Sequence, residues 1–169
     1  MSKLYGVANR ISQEIGAVLV NNSDFNKLLY YKHIKDKDIF EQPDLDDAVE
    51  MLIGKQVFFN RRIPKLLRES DICITINTND ITNTFTKTRS IKRVLIDILI
   101  IGHDDCLDTI HGQREVALLC AIQEILEEQT LGGIGKCKLL RVNPLVNIPT
   151  EFSGYSTVVE VTAFDNAII

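Results

Sequence analysis

At 169 residues the chain fits one domain, and 45% apolar with 25% charged residues is a globular mix with material for a sizeable core. A net charge of −4 and a pI near 5.4 argue against extensive phosphate contact, which needs clustered lysine and arginine; local concentrations remain at residues 55–68 and 87–93. The longest apolar run, residues 94–101, is interrupted by Asp97 and falls far short of the ~20 residues of a spanning helix, and an N-terminus carrying Arg10 and Glu14 does not read as a secretory leader, so a soluble protein made in a cytoplasm is expected.

A first helix is predicted from a Ser2 cap to about Val20. Leu4, Val7, Ala8, Ile11, Ile15, Val18 and Leu19 recur at spacings of three and four and share one stripe, with Asn9, Arg10, Gln13 and Glu14 opposite. Asn21-Asn22-Ser23 breaks it, and Ser23 or Asp24 can cap a short continuation through Leu29. Residues 32–47 are charged and irregular, a surface loop. Pro43 with Asp44, Asp46 and Asp47 has the character of a helix start, followed by a buried stripe of Leu45, Ala48, Val49, Leu52 and Ile53 and terminated by Gly54. The period then changes. Residues 56–63 suit a short strand, and residues 71–77 alternate with Ile72, Ile74 and Ile76 on one face.

Residues 77–87, rich in Thr and Asn, lack a core pattern and read as a hairpin tip or exposed loop. In the strand predicted over 91–101, Val94, Ile96, Ile98 and Ile100 face one way and Arg93, Leu95, Asp97, Leu99 and Ile101 the other. A strand apolar on both faces belongs at the centre of a sheet, one face under helices and the other under a neighbouring subunit or the second half of the fold. A helix over 109–128 carries a main stripe of Ile110, Ala117, Leu118, Ala121, Ile122 and Ile125, widened by Val116, Leu119, Cys120 and Leu126. Gln113, Arg114, Glu115, Gln123, Glu124 and Glu127 keep a narrow polar arc, and so broad an apolar surface hints at subunit contacts. A glycine-broken turn at 131–135 leads to strands at 136–143 and 156–165. No repeat, heptad run or low-complexity linker divides the chain. The reading is one α+β domain over residues 1–169, a mixed and mainly antiparallel sheet with amphipathic helices on it and long polar loops.

Ligand-type side chains concentrate in one place, His103, Asp104, Asp105, Cys106, Asp108 and His111, where a strand gives way to a helix. His103, Cys106 and His111 could bind a borderline metal such as zinc, and Cys106 with His103 could form a nucleophilic pair. The plainer reading has Asp105 or Asp108 capping the helix and His103 ending the strand. His33 is the one remaining histidine, no second ligand pair stands at a recognisable spacing, and nothing marks an oxyanion hole. Cys73, Cys106, Cys120 and Cys137 form no Cys-x-x-Cys pair and read as reduced structural thiols. Gly132-Gly133-Ile134-Gly135-Lys136 has the look of a phosphate loop, but a helix precedes it, a strand follows, and Cys137 stands where a hydroxyl residue belongs. Phe58 and Phe59 among Arg61, Arg62, Lys65 and Arg68 could stack bases and hold phosphates; alternatively the rings enter the core, or the cations meet an acidic partner subunit. No catalytic, cofactor-binding or metal-ligating residue is assigned, and no enzyme activity or cofactor is expected.

The order of elements carries a resemblance. It runs from the N-terminal amphipathic helix through a middle region with a long polar loop, a strand ending in His103-Asp104, and a helix carrying Arg114. A strand pair around Phe152-Ser153-Gly154-Tyr155 and a last strand ending in Phe164-Asp165 complete it. This resembles the tail-terminator and head-to-tail joining (neck) proteins of tailed bacteriophages, best over residues 91–165. The Asn/Thr-rich insert and the 32–47 loop depart from the pattern. The resemblance implies a structural virion protein, a small α+β subunit that forms a homo-oligomeric ring, typically a hexamer, capping the tail tube and joining tail to head. It implies as partners further copies of itself, the tail-tube or sheath protein and a head-completion or connector protein, with no membrane and at most passive contact with DNA in the channel. The alternatives are a head-side adaptor or another tail subunit, a small metal-dependent enzyme using His103, Cys106, Asp108 and His111, and a nucleic-acid module using Arg61, Arg62 and Lys65.

Overall fold

Helix α1 (Lys3–Val20) forms where the three-and-four spacing predicts it. Ile11, Ile15 and Leu19 are buried, Asn9 and Arg10 are exposed, and Arg10 pairs with Glu14 one turn on at 2.9 Å. The structure, a computed structural model, describes residues 3–59, 71–85, 90–127, 129–131 and 135–164. The expected Ser2 cap therefore lies outside the described residues. Helix α2 (Ser23–Tyr30) is capped by Asn22, whose Oδ1 accepts the Phe25 amide at 3.0 Å, and not by Ser23 or Asp24. Asn22 already holds the extended backbone a cap needs (φ −81°, ψ 125°), and the Ser23 hydroxyl donates to Asp44 instead, at 2.6 Å. Helix α3 (Ala48–Leu52) is capped by Asp47, which accepts the Glu50 amide at 3.1 Å, and Gly54 turns the chain beyond it at φ +79°. It starts later than Pro43 suggests. Only Ala48 and Leu52 of its predicted stripe are buried, and Val49 is exposed.

The strands in chain order are β1 (Val57–Phe58), β2 (Ile72–Phe85) and β3 (Ser90–His103). A two-residue pair follows, β4 (Asp108–Thr109) and β5 (Gly112–Gln113). After helix α4 (Arg114–Leu126) come β6 (Thr130–Leu131), β7 (Gly135–Pro144) and β8 (Phe152–Phe164). Six of them form one sheet in the order β1-β2-β3-β8-β7-β6, parallel at β1–β2 and antiparallel elsewhere. The fold is α+β, with helices on a mixed, mainly antiparallel sheet. β3 is central, as its two apolar faces predict.

On the helix side, Ile72, Ile74, Ile76, Val94, Ile96, Ile98, Ile100, Val159 and Val161 meet Ile11, Ile15, Leu19, Leu118, Ile122 and Leu126 in one core. Each such side chain contributes roughly 1.5–3 kcal/mol when taken from water. Gly16 lets α1 approach: a Cβ there would stand 2.6 Å from the Phe59 ring. On the far face, Cys73 and Ile101 are buried with Phe58, Leu99, Leu145 and Phe152 packed on them. The chain's own second half therefore supplies part of the cover expected there.

Two segments depart from expectation. Of the Asn/Thr-rich stretch, residues 77–85 are not an exposed loop but one arm of a hairpin: β2 runs on to Phe85, paired with β3 down to Ser90, with a bulge between Thr78 and Asp80, and residues 86 and 87 lie outside the described residues. Threonine is β-branched and fits a pleated strand even without an apolar alternation. The fourth helix begins at Arg114 rather than Thr109, because Asp108–Thr109 and Gly112–Gln113 close a small hairpin with Gly112 at φ +111°. The predicted strand at 56–63 is described only as Val57–Phe58; its remainder lies largely outside the described residues.

Candidate assembly surface

The acidic bend after β3 does not gather its ligand-type side chains. His103 ends the strand as expected, its Nδ1 accepting the Asp105 amide at 3.2 Å and its ring edge-on to Phe152 at 5.2 Å. Cys106 is buried and faces His33, Sγ to Nδ1 3.9 Å, rather than His103, and burial pushes its thiol pKa up. His111 turns to Asp38, Nε2 to Oδ2 3.0 Å, and that hydrogen bond is the largest of the effects that hold the Asp38 carboxyl below its usual range. Asp108 is exposed in β4 and caps no helix; the N-cap of α4 is Gln113, without a side-chain cap bond. Among the described residues no group of three His, Cys, Asp or Glu side chains could hold a metal ion.

What organises the bend is Arg114. Sequence reading puts it on a polar arc, but it is fully buried. Its guanidinium donates to three backbone carbonyls: Nε to Cys106 at 2.6 Å, Nη1 to Leu28 at 2.8 Å and Nη2 to Ile34 at 3.0 Å. A planar fork of donors suits this task, and Leu28 O lies among the last carbonyls of α2, which need partners. Burial lowers the Arg114 pKa to about 10, so the group stays charged at neutral pH. Glu115, also expected on the polar arc, is buried with Oε1 accepting the Ser153 hydroxyl at 3.0 Å. The sequence does carry a signal for this burial: Arg114 precedes Leu118, Ile122 and Leu126 at steps of four, on their stripe.

The same contacts hold the 31–47 segment. Ile39 is buried within it, Lys27 reaches Phe40 O at 3.1 Å and Asp44 at 2.9 Å, the Tyr31 hydroxyl donates to Pro43 O at 3.1 Å, and Arg114 takes Ile34 O. So fixed, the loop presents Phe40 to solvent with its ring 5.5 Å from His111, and the β4–β5 hairpin presents Ile110, 53% exposed, beside it. A hollow of about 460 Å³ opens elsewhere between the end of α2 and β1, lined by Tyr30, Met51, Lys32 and Asp71, the last two paired at 2.7 Å. Tyr30 and Met51 are large apolar side chains left in solvent, as is Val116 on the outer side of α4, next to the exposed Cys120. The structure thus has a projecting apolar tip, a hollow with Tyr30 and Met51 beside the charged Lys32, Lys55 and Asp71, and an apolar helix flank on well-anchored segments.

A family model described as YomW matches residues 22–161. The chain belongs to the YomW family. The matched span takes in everything from the cap of α2 to within three residues of the end of β8, so the Arg114 network and the loop it anchors lie inside it. No curated protein matches the sequence. Among solved structures, a chain of one titled "Virion of native gene transfer agent (GTA) particle" is similar, with a TM-score of 0.50 and 13% identity over 66% of this chain and 80% of that one. At that identity the likeness is one of fold.

The other expected sites resolve as structure. The glycine segment lies between two antiparallel strands: β6 pairs with β7 at Thr130↔Lys136 and Leu131↔Gly135, and Gly132, Gly133 and Ile134 lie outside the described residues. No helix opens after Lys136, so the phosphate-loop architecture is missing. Phe58 packs on the far-face cluster and Phe59 on the main core beside Gly16 of α1, each ring partly buried; Arg61, Arg62, Lys65 and Arg68 lie outside the described residues.

Proposed function

We propose that the protein is a noncatalytic structural component of a tailed-phage-type virion, a ring-forming tail-terminator or neck subunit that caps the tail tube and joins tail to head. The observation that carries this reading is apolar surface held rigidly outward. Ile110 with Phe40, and Tyr30 with Met51, sit on segments anchored by Arg114, Lys27 and Asp47 rather than folding inward. A ring needs two unlike adhesive surfaces on one body, meeting head to tail and closing by rotation. The projecting Ile110 tip and the Tyr30/Met51 hollow form such a pair, convex and concave. The fold likeness to a chain of a gene transfer agent virion agrees with this reading.

The mechanism is then surface complementarity. One ring face docks on the last tail ring and the other accepts the head connector, while copies of the chain close the ring through tip and hollow. Sedimentation and negative-stain images of the full chain, alone and with purified tail tubes, test it. Rings that form or add to tube ends are expected; a monomer that does neither at any concentration overturns the reading.

A further inference from the structure

Among the described residues, the sheet leaves an open strand edge along most of β7, beyond the short β6. On its inner side β7 pairs with β8 along its whole length; on its outer side β6 reaches only Gly135 and Lys136, and Gln129 O takes the Cys137 amide. Over residues 138–144 no described strand covers that side. Residues 140–144 are all exposed, and Leu140 (40%), Val142 (37%) and Val146 (74%) lie on this edge or just beyond it. Unpaired N–H and C=O groups along such an edge are half of a hydrogen-bond ladder.

The charges select what completes it. Lys136, Lys138 and Arg141 are exposed and stand opposite Thr162, Glu160 and Val158 on β8. Glu160, the one carboxylate among those neighbours, is already held by Arg93. The edge is therefore basic on a chain whose net charge is −4. Two copies of β7 laid antiparallel about their middle would set Arg141 against Arg141, and like charges directly opposite are destabilising. The bulge between Leu139 and Arg141 further spoils the mesh of two identical edges. A strand alternating aliphatic and acidic side chains meets all three demands at once: the open backbone groups, the exposed Leu140 and Val142, and the cations. Duplex DNA would use the cations alone.

We propose that residues 138–144 of the β7 edge dock an extended segment of an unlike protein, in which carboxylates alternate with aliphatic side chains, as an added strand of the sheet. The edge is present on each single copy, so this goes beyond the ring reading and does not rest on it.

The test uses the full chain and three probes: a blocked peptide of about nine residues alternating Val and Glu, its counterpart with Lys for Glu, and a short DNA duplex. Hydrogen–deuterium exchange reads where each binds, and anisotropy of labelled peptide reads how tightly. The Glu peptide is expected to slow exchange at 138–144 and to bind about tenfold tighter than the Lys peptide, the scale of the two cross-strand charge pairs at Lys138 and Arg141 changing sign. Lys138→Glu with Arg141→Glu, both at exposed positions, is expected to reverse that order. Unchanged exchange at 138–144, equal affinity for the two peptides, an order that survives the double substitution, or protection of this edge by DNA and not by the Glu peptide each overturns the proposal.

Discussion

At the scale of single residues, the buried cation is the most consequential feature. Arg114 satisfies three carbonyls from three separate segments, at Cys106, Leu28 and Ile34. Arg114→Ala strands all three acceptors and opens a void, so a loss of about 4 kcal/mol is expected in urea unfolding, and Arg114→Lys, with one ammonium for three directions, recovers only part of it. A full recovery by lysine would mean that charge rather than fork geometry matters. The thiols give a second expectation. Burial pushes Cys73 up to about 12 and Cys137 up to about 11, from the ordinary 9.0. Between these values and 9 the folded chain keeps protons that the unfolded chain releases. Their contribution to stability is therefore whole below about pH 9 and falls as pH rises, and Cys73→Ala with Cys137→Ala should flatten the alkaline limb of a stability-against-pH curve. In the native protein a thiol reagent should find Cys120, the exposed one, quickly, and the buried Cys73, Cys106 and Cys137 only on unfolding.

At the scale of elements, Gly154 governs the pairing of the two central strands. It sits opposite Ile101 in β8, and a Cβ there would overlap the Ile100 carbonyl oxygen. Because backbone rather than a pliable side chain is in the way, Gly154→Ala should cost about 3 kcal/mol or more, visible as a large drop in the thermal midpoint. A change under 1 kcal/mol would mean the strands part easily. The central strand and its partners were legible in sequence because Ile72, Ile74 and Ile76, Val94 through Ile100, and Val159 with Val161 alternate with period two. The distal half of β2 was not legible. Its Thr and Asn residues give no apolar alternation, and the information lies in the register with β3. The hairpin ahead of α4 was hidden for a different reason: Ile110 falls at helical spacing from Ala117 and Leu118, and only Gly112 hints at the turn. Arg114 was misplaced because a charge at a helix start is ordinarily read as solvated, whereas here backbone carbonyls from far along the chain surround it. Likewise His103, Cys106 and His111 are near in sequence, yet Phe152, His33 and Asp38 claim them separately.

At the scale of the whole molecule, ring closure through unlike surfaces makes a demand that no monomer property does. Ile110 on the hairpin tip and Met51 at the hollow are both partly in solvent, so Ile110→Glu or Met51→Glu should change the unfolding free energy by less than about 0.5 kcal/mol. Each variant alone spoils one half of every junction, and both should sediment as monomers at concentrations where the parent chain forms rings. An equal mixture behaves differently. The Met51→Glu chain keeps an intact tip and the Ile110→Glu chain an intact hollow, so one sound junction can form per pair and no more. Sedimentation of the mixture should show a species of two chains and none larger. An isologous contact would break this pattern, because each chain then brings the same patch to its partner and the mixture would pair no better than either variant alone. Rings surviving in either single variant would place the adhesive surfaces elsewhere, with the Val116 flank of α4 the next to substitute.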